Sequence, residues 1–186
     1  MKTRNMPERG FTLIEAMIVI AVLTVVVAAT TVSLSDLSRR QASRAEINGI
    51  FRTFQVARAT AINHGQIVTI CPLTDTGDCG SDWNTPVSVF LDPQNKRQLR
   101  QPKDVVHRFY PSQYGVFAAA PSNRRYFQFS PIGSSRGTLG NVTWCAREDD
   151  PTLRQQLILS RSGRVRWAQD NDGDGVKEKY DGTPIA

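Results

Sequence analysis

Gly10-Phe11-Thr12-Leu13-Ile14-Glu15 leads into 20 uncharged residues, Ala16 to Ser35. Glu15 thus lies near the start of an apolar run of membrane length. At the centre of a bilayer an acidic side chain costs roughly 2.5–3.5 kcal/mol on insertion scales, and it persists where a partner charge neutralises it. The pattern predicts a chain that assembles with something supplying that partner. The 24 residues from Phe11 to Leu34 give a helix of about 36 Å, enough to span a ~30 Å hydrocarbon core. In front, residues 1–10 set Lys2, Arg4 and Arg9 against Glu8 and end at Gly10. Such positive charge holds a leader on the cytoplasmic side. A secretory signal peptide needs small residues in an A-x-A-like site, a pattern poorly met around Ala28, Ala29 and Thr30. An ordinary single-span anchor leaves Glu15 unexplained.

Past Ser35 charged residues appear while the helical period continues. Ile47, Phe51 and Phe54, with Ile50 beside them, make an apolar stripe among Arg39, Arg40, Arg44, Arg52 and Arg58. One long helix over 11–62 is expected, its first half apolar all round and its second half amphipathic. Gly49 would loosen it locally, since Gly costs about 1 kcal/mol against Ala. His64-Gly65 would end it. Residues 63–186 read as β. Gln66–Cys71, Val87–Leu91, Val105–Phe109, Tyr126–Ser130, Asn141–Cys145 and Gln156–Ser160 are short runs rich in β-branched and aromatic residues, punctuated by Gly, Pro, Asn and Asp. The expected class is α+β, a long N-terminal helix packed on an antiparallel β-sheet head.

With 186 residues there is room for one anchor helix and one globular head. The formal charge is +6, of which the chain from Phe11 onward keeps +4. That balance suits an acidic polymer or an anionic membrane surface, and by itself argues only for solubility. His64 and His107 stand alone, and no nucleophile–base pairing, phosphate-cradling glycine loop or zinc spacing is present. The sequence reads as a non-enzyme. Of its three cysteines, Cys71 and Cys79 would close a short loop rich in Asp, Thr and Gly. Proximity favours that disulfide; Cys145, at a strand end, is the alternative partner for Cys71.

The segment from Gly10 to Glu15, with its basic leader and unbroken apolar run, resembles the processing site of type IV pilins and type II secretion pseudopilins. The resemblance implies cleavage after Gly10, methylation of the new amine on Phe11, and neutralisation of a neighbouring subunit's amine by Glu15 in the fibre. Ala57-Arg58, Ala61, Cys71-Pro72, Cys79, Trp83, Val89-Phe90 and Asp92 resemble, in order, the minor pilins FimT and FimU and the pseudopilin GspH. Val142-Thr143-Trp144-Cys145 and Ser162-Gly163-Arg164-Val165-Arg166 extend the match. The usual glycine before the Val-Phe pair is missing, with Pro86 in that neighbourhood. A type IV pilin-like fold follows, with a leader (1–10), an assembly helix (11–62) and a periplasmic head (63–186). So does a single-pass inner-membrane subunit of a Gram-negative bacterium, passing into the pilus fibre at the cell surface beside other minor and major pilins. Three roles are open: a minor pilin of the priming or tip complex, a DNA-binding tip pilin for transformation, or a minor pseudopilin of type II secretion.

Two segments carry candidate sites. Arg161-Ser162-Gly163 suits a three-residue hairpin loop with Gly163 in the left-handed position. Leu159 then faces Val165 and Leu157 faces Trp167, whereas Ser160 faces Arg164 and Ile158 faces Arg166. A two-residue loop would mix apolar and polar faces. Arg164 and Arg166 then lie about 6.7 Å apart on one side, with Arg161 at the tip. Guanidinium forks suit phosphate oxygens and bind nucleic acid without reading sequence. The resemblance implies DNA capture through this Gly-Arg-x-Arg hairpin; a solvated or subunit-docking hairpin is the plainer alternative. The second segment, Asp170 to Asp181, follows a calcium-loop scheme. Asp170, Asp172 and Asp174 stand at positions one, three and five, Val176 supplies a carbonyl at seven, and Asp181 stands at twelve. Calcium is the cofactor such a loop would take. A shorter Asp replaces the bidentate Glu, Lys177 and Lys179 weaken the local field, and a plain Asp/Gly turn is the alternative.

Overall fold

The computed structural model describes residues 11–147, 150–179 and 182–185, with the backbone alone for 28–36. The chain divides into two compact units, Met1–Arg39 and Arg40–Ala186. Helix α1 (Leu13–His64) is 52 residues long. It begins two residues later than the sequence suggests because Thr12 caps it. The Thr12 hydroxyl accepts the Glu15 N–H at 3.3 Å, and its carbonyl accepts the Ala16 N–H at 3.2 Å. This is half of a Thr-x-x-Glu capping box, satisfying a donor that the first turn leaves open.

In the first unit every described side chain is exposed, Phe11 at 84% and Leu13 at 79%. Among the described residues no helix is long and apolar enough to cross a membrane. The side chains at 28–34, which complete the expected span, lie outside them.

The second unit has a core. Ser43, Ile47, Ile50, Phe54, Ala57 and Ala61 recur every three or four residues along α1, and each is at most 2% exposed. The helix ends as its His64-Gly65 pair suggests. Gly65 takes φ +60°, its N–H donates to the Ile62 carbonyl, and the Gln66 N–H reaches back to Ala61 at 3.2 Å. Gly49 has a different role from the loosening expected of it. A Cβ there would collide with the Phe109 ring, so this glycine is the seat into which that ring packs.

Among the described residues eight strands follow: β1 (Val68–Pro72), β2 (Val87–Leu91), β3 (Val105–Phe109), β4 (Gly115–Ala120), β5 (Phe127–Phe129), β6 (Gly140–Ala146), β7 (Gln155–Leu159) and β8 (Val165–Trp167). They form two antiparallel sheets, in the orders β3-β2-β1-β5 and β4-β6-β7-β8, where one sheet was expected. Strand β4 was not expected at all. Its three alanines are poor strand formers, but six register pairs with β6 hold it, with Phe117 turned into the core. The core is aromatic. Phe54 meets Phe127 at 5.0 Å, Trp83 meets Phe127 at 5.5 Å and Phe109 meets Phe117 at 5.6 Å, all edge to face. Cys71 is bonded to Cys79, closing the loop between β1 and β2. Cys145 lies half-buried on β6, outside that bond.

Candidate functional site

The three groups of candidate residues fall in separate places. At the N-terminus, Gly10 lies outside the described residues, Phe11 is exposed, and Glu15 is exposed in the first turn of α1. The disulfide pair and the two remaining groups belong to the second unit.

The β7–β8 hairpin has the register that inside–outside alternation predicts. Leu157 pairs with Trp167, Ile158 with Arg166 and Leu159 with Val165. The loop closes through Gly163 N–H to Ser160 carbonyl and Ser160 N–H to Arg164 carbonyl, both 3.0 Å, with Gly163 at φ +78°. Glycine is needed here twice over, because a Cβ would also strike the Gly133 carbonyl. That carbonyl already accepts a 3.0 Å bond from Arg58 Nε, so it is held in place. Leu157, Leu159 and Val165 are buried, whereas Arg161, Arg164 and Arg166 are exposed. Arg166 also borders a shallow groove of about 360 Å³ with Ile158, Asn141 and Lys179. The arrangement presents exposed guanidinium forks on a hydrogen-bonded ribbon.

In the acidic loop, carboxylate oxygens of Asp170, Asp172, Asp174 and Glu178 lie within 4.8 Å of one another. Asp170 accepts the N–H groups of Gly173 (2.7 Å) and Gly175 (2.9 Å), and Asp174 accepts that of Val176 at 2.7 Å. Asp181 lies outside the described residues. Sequence reasoning passed over Glu178, although it occupies position nine of the same twelve-residue scheme. It is buried, and its Oε2 accepts both the N–H and the Nδ2 of Asn171 at 2.8 Å. Lys177 donates to Gln155 Oε1 at 2.7 Å. Burial, then the charge of Arg44, push its amino group below the usual lysine range, and Asp170 opposes them. His107 has a structural partner in this unit: its Nε2 lies 3.2 Å from the Thr53 hydroxyl.

Residues 46–163 match the family model of the type II transport protein GspH, and residues 5–31 match the prokaryotic N-terminal methylation motif. The first match takes in more than half of the chain, which therefore belongs to the GspH family. The fold is similar to that of the type IV minor pilin FimU of Pseudomonas aeruginosa, with a TM-score of 0.51 and 16% identity over 73% of this chain and 92% of that one. It is similar also to EpsH, a minor pseudopilin of the type 2 secretion system of Vibrio cholerae, with a TM-score of 0.50 and 10% identity over 70% and 98%. No curated protein matches the chain.

Proposed function

We propose that the chain is a minor pilin that helps to assemble a type IV pilus, within its priming or tip complex. The pairing of a methylation motif over residues 5–31 with a GspH match over residues 46–163 carries the role of a fibre-assembly subunit, and the basic charge with the Gly163-Arg164-Val165-Arg166 hairpin inclines the reading to the pilus. In this reading the subunit waits in the inner membrane with its head in the periplasm, then joins other minor and major pilins in the fibre. Glu15 neutralises the amine that a neighbouring subunit gains at Phe11, because a charge among apolar side chains is tolerated once paired and hydrogen-bonded. A minor pseudopilin of type II secretion would use the same parts. Deleting the gene separates the two: loss of pili with secretion intact supports the pilus reading, and the reverse result overturns it.

A DNA-binding role is favoured by one observation, the hairpin register that sets Arg164 and Arg166 on one exposed face. Gel-shift affinity that survives R164Q/R166Q refutes that site. The acidic loop is read as a calcium loop because four carboxylates converge there and a hard cation takes such oxygens. Calorimetry with millimolar calcium gives heat that D170N abolishes; no heat from the native chain ends the idea.

A further inference from the structure

The hairpin is tied to a second group of arginines. Ser135, in the β5–β6 connection, donates to the Arg161 carbonyl through its N–H at 3.1 Å and its hydroxyl at 3.2 Å. The next residue, Arg136, donates its N–H to the Gln128 carbonyl on β5 at 3.0 Å. One short connection therefore bonds the hairpin tip to β5, the edge strand of the other sheet. Just before β5, two exposed arginines converge on Tyr126. The guanidinium of Arg97 lies 5.9 Å from the ring centroid and that of Arg124 lies 5.7 Å from it. Arg124 Nη1 also donates to Tyr126 Oη at 3.0 Å. Cations over an aromatic ring are attracted by its quadrupole.

A buried polar network underlies these residues. Asp92, 4% exposed, accepts the Thr69 hydroxyl at 2.9 Å and the N–H groups of Lys96 (2.7 Å) and Arg97 (2.9 Å). Gln128, 1% exposed, donates through Nε2 to Thr69 Oγ1 at 3.0 Å and to Asn95 Oδ1 at 2.9 Å, and its N–H donates to the Thr138 hydroxyl at 2.9 Å. Asn95 and Arg97 take φ of +54° and +57°, a conformation that non-glycine residues keep only where surrounding bonds impose it. The network thus immobilises the backbone that carries Lys96 and Arg97 on one side and Arg136 on the other. Guanidinium groups ordered in advance lose less entropy when they meet an anion.

We infer that Arg97 and Arg124, held over Tyr126, are a second phosphate-binding platform, part of a nucleic-acid surface running through Arg136 to Arg161 and Arg164. This rests on the DNA reading of the hairpin and enlarges its site. A phosphodiester backbone presents anions at regular intervals, and exposed guanidinium forks on segments bonded to one another suit that pattern. Tyr126 is a positioning residue. It touches no phosphate and fixes the two forks.

The test is fluorescence anisotropy of a labelled duplex with the full chain in detergent, titrated over a range of salt concentrations. Removing one arginine–phosphate ion pair flattens the log K against log salt slope by about 0.9, so R97Q/R124Q and R164Q/R166Q should each flatten it by about 2. Y126L, which removes the ring, should approach the first double variant, and Y126F, which keeps it, should stay near the native slope. If only the hairpin variant changes, the platform is refuted and the hairpin reading stands. If the native chain binds no duplex, both fall. Weaker binding by R97Q/R124Q at the native slope also overturns the platform, as does equal displacement of the duplex by polyglutamate, which would point to an acidic protein.

Discussion

Residues 13–27 and residues 40–64 belong to the same helix, but their apolar side chains have opposite fates. In the second stretch Ile47, Ile50, Phe54, Ala57 and Ala61 are buried beneath the head's own strands. In the first, Ile14, Met17, Ile18, Val22 and Leu23 are all more than half exposed. The head finds its hydrophobic partner within the chain, whereas the described side chains of the N-terminal stretch are exposed. An apolar surface of that extent marks a membrane or protein interaction site, and Glu15 sits on it. Stability and assembly should therefore separate along the helix.

The largest expected effect is in the core. Phe54→Ala should cost about 3–5 kcal/mol of head stability, read as a fall in the denaturant midpoint. Ile18→Ala should leave that midpoint where it is. Equal loss from both would mean that the two stretches share one cooperative core. Next comes the disulfide: replacing Cys71 and Cys79 with serine should cost about 2.5 kcal/mol for a loop of this size. Gly49→Ala separates two explanations by sign. If the glycine seats Phe109, the variant should lose about 1–2 kcal/mol through overpacking; if it merely loosens the helix, the variant should gain about 1 kcal/mol.

The smallest effect concerns Lys177. Its pKa is lower in the folded chain than the 10.5 of a free lysine, so the unfolded state binds more protons. Stability attributable to this group therefore rises as pH climbs towards 10.5. Against K177M, the native chain should gain ground between pH 7 and that value, in paired denaturant curves. A constant difference would contradict the burial of its charge.

What was legible in the sequence follows the range of the physics involved. Inside–outside alternation is local, so the hairpin register from Leu157 to Trp167 could be read directly, loop length included. The helix stop at Gly65 was legible for the same reason. Strand β4 was not, because its alanines form a strand only once β6 lies beside them. Nor was the division into two sheets, since edge and centre depend on partners far along the chain. In the acidic loop Glu178 had a signal at position nine, whereas its burial against Asn171 had none. The Arg97–Tyr126–Arg124 cluster joins residues from two connections and has no sequence signature.

The most direct measurement is made on the N-terminus and on Glu15 together. The chain purified from its native host should begin at a methylated Phe11, and Glu15→Ala should abolish its incorporation into filaments while the head's denaturant midpoint stays unchanged. A chain that still begins at Met1, or an alanine variant that enters filaments at the native level, would contradict the pairing of Glu15 with a neighbour's amine.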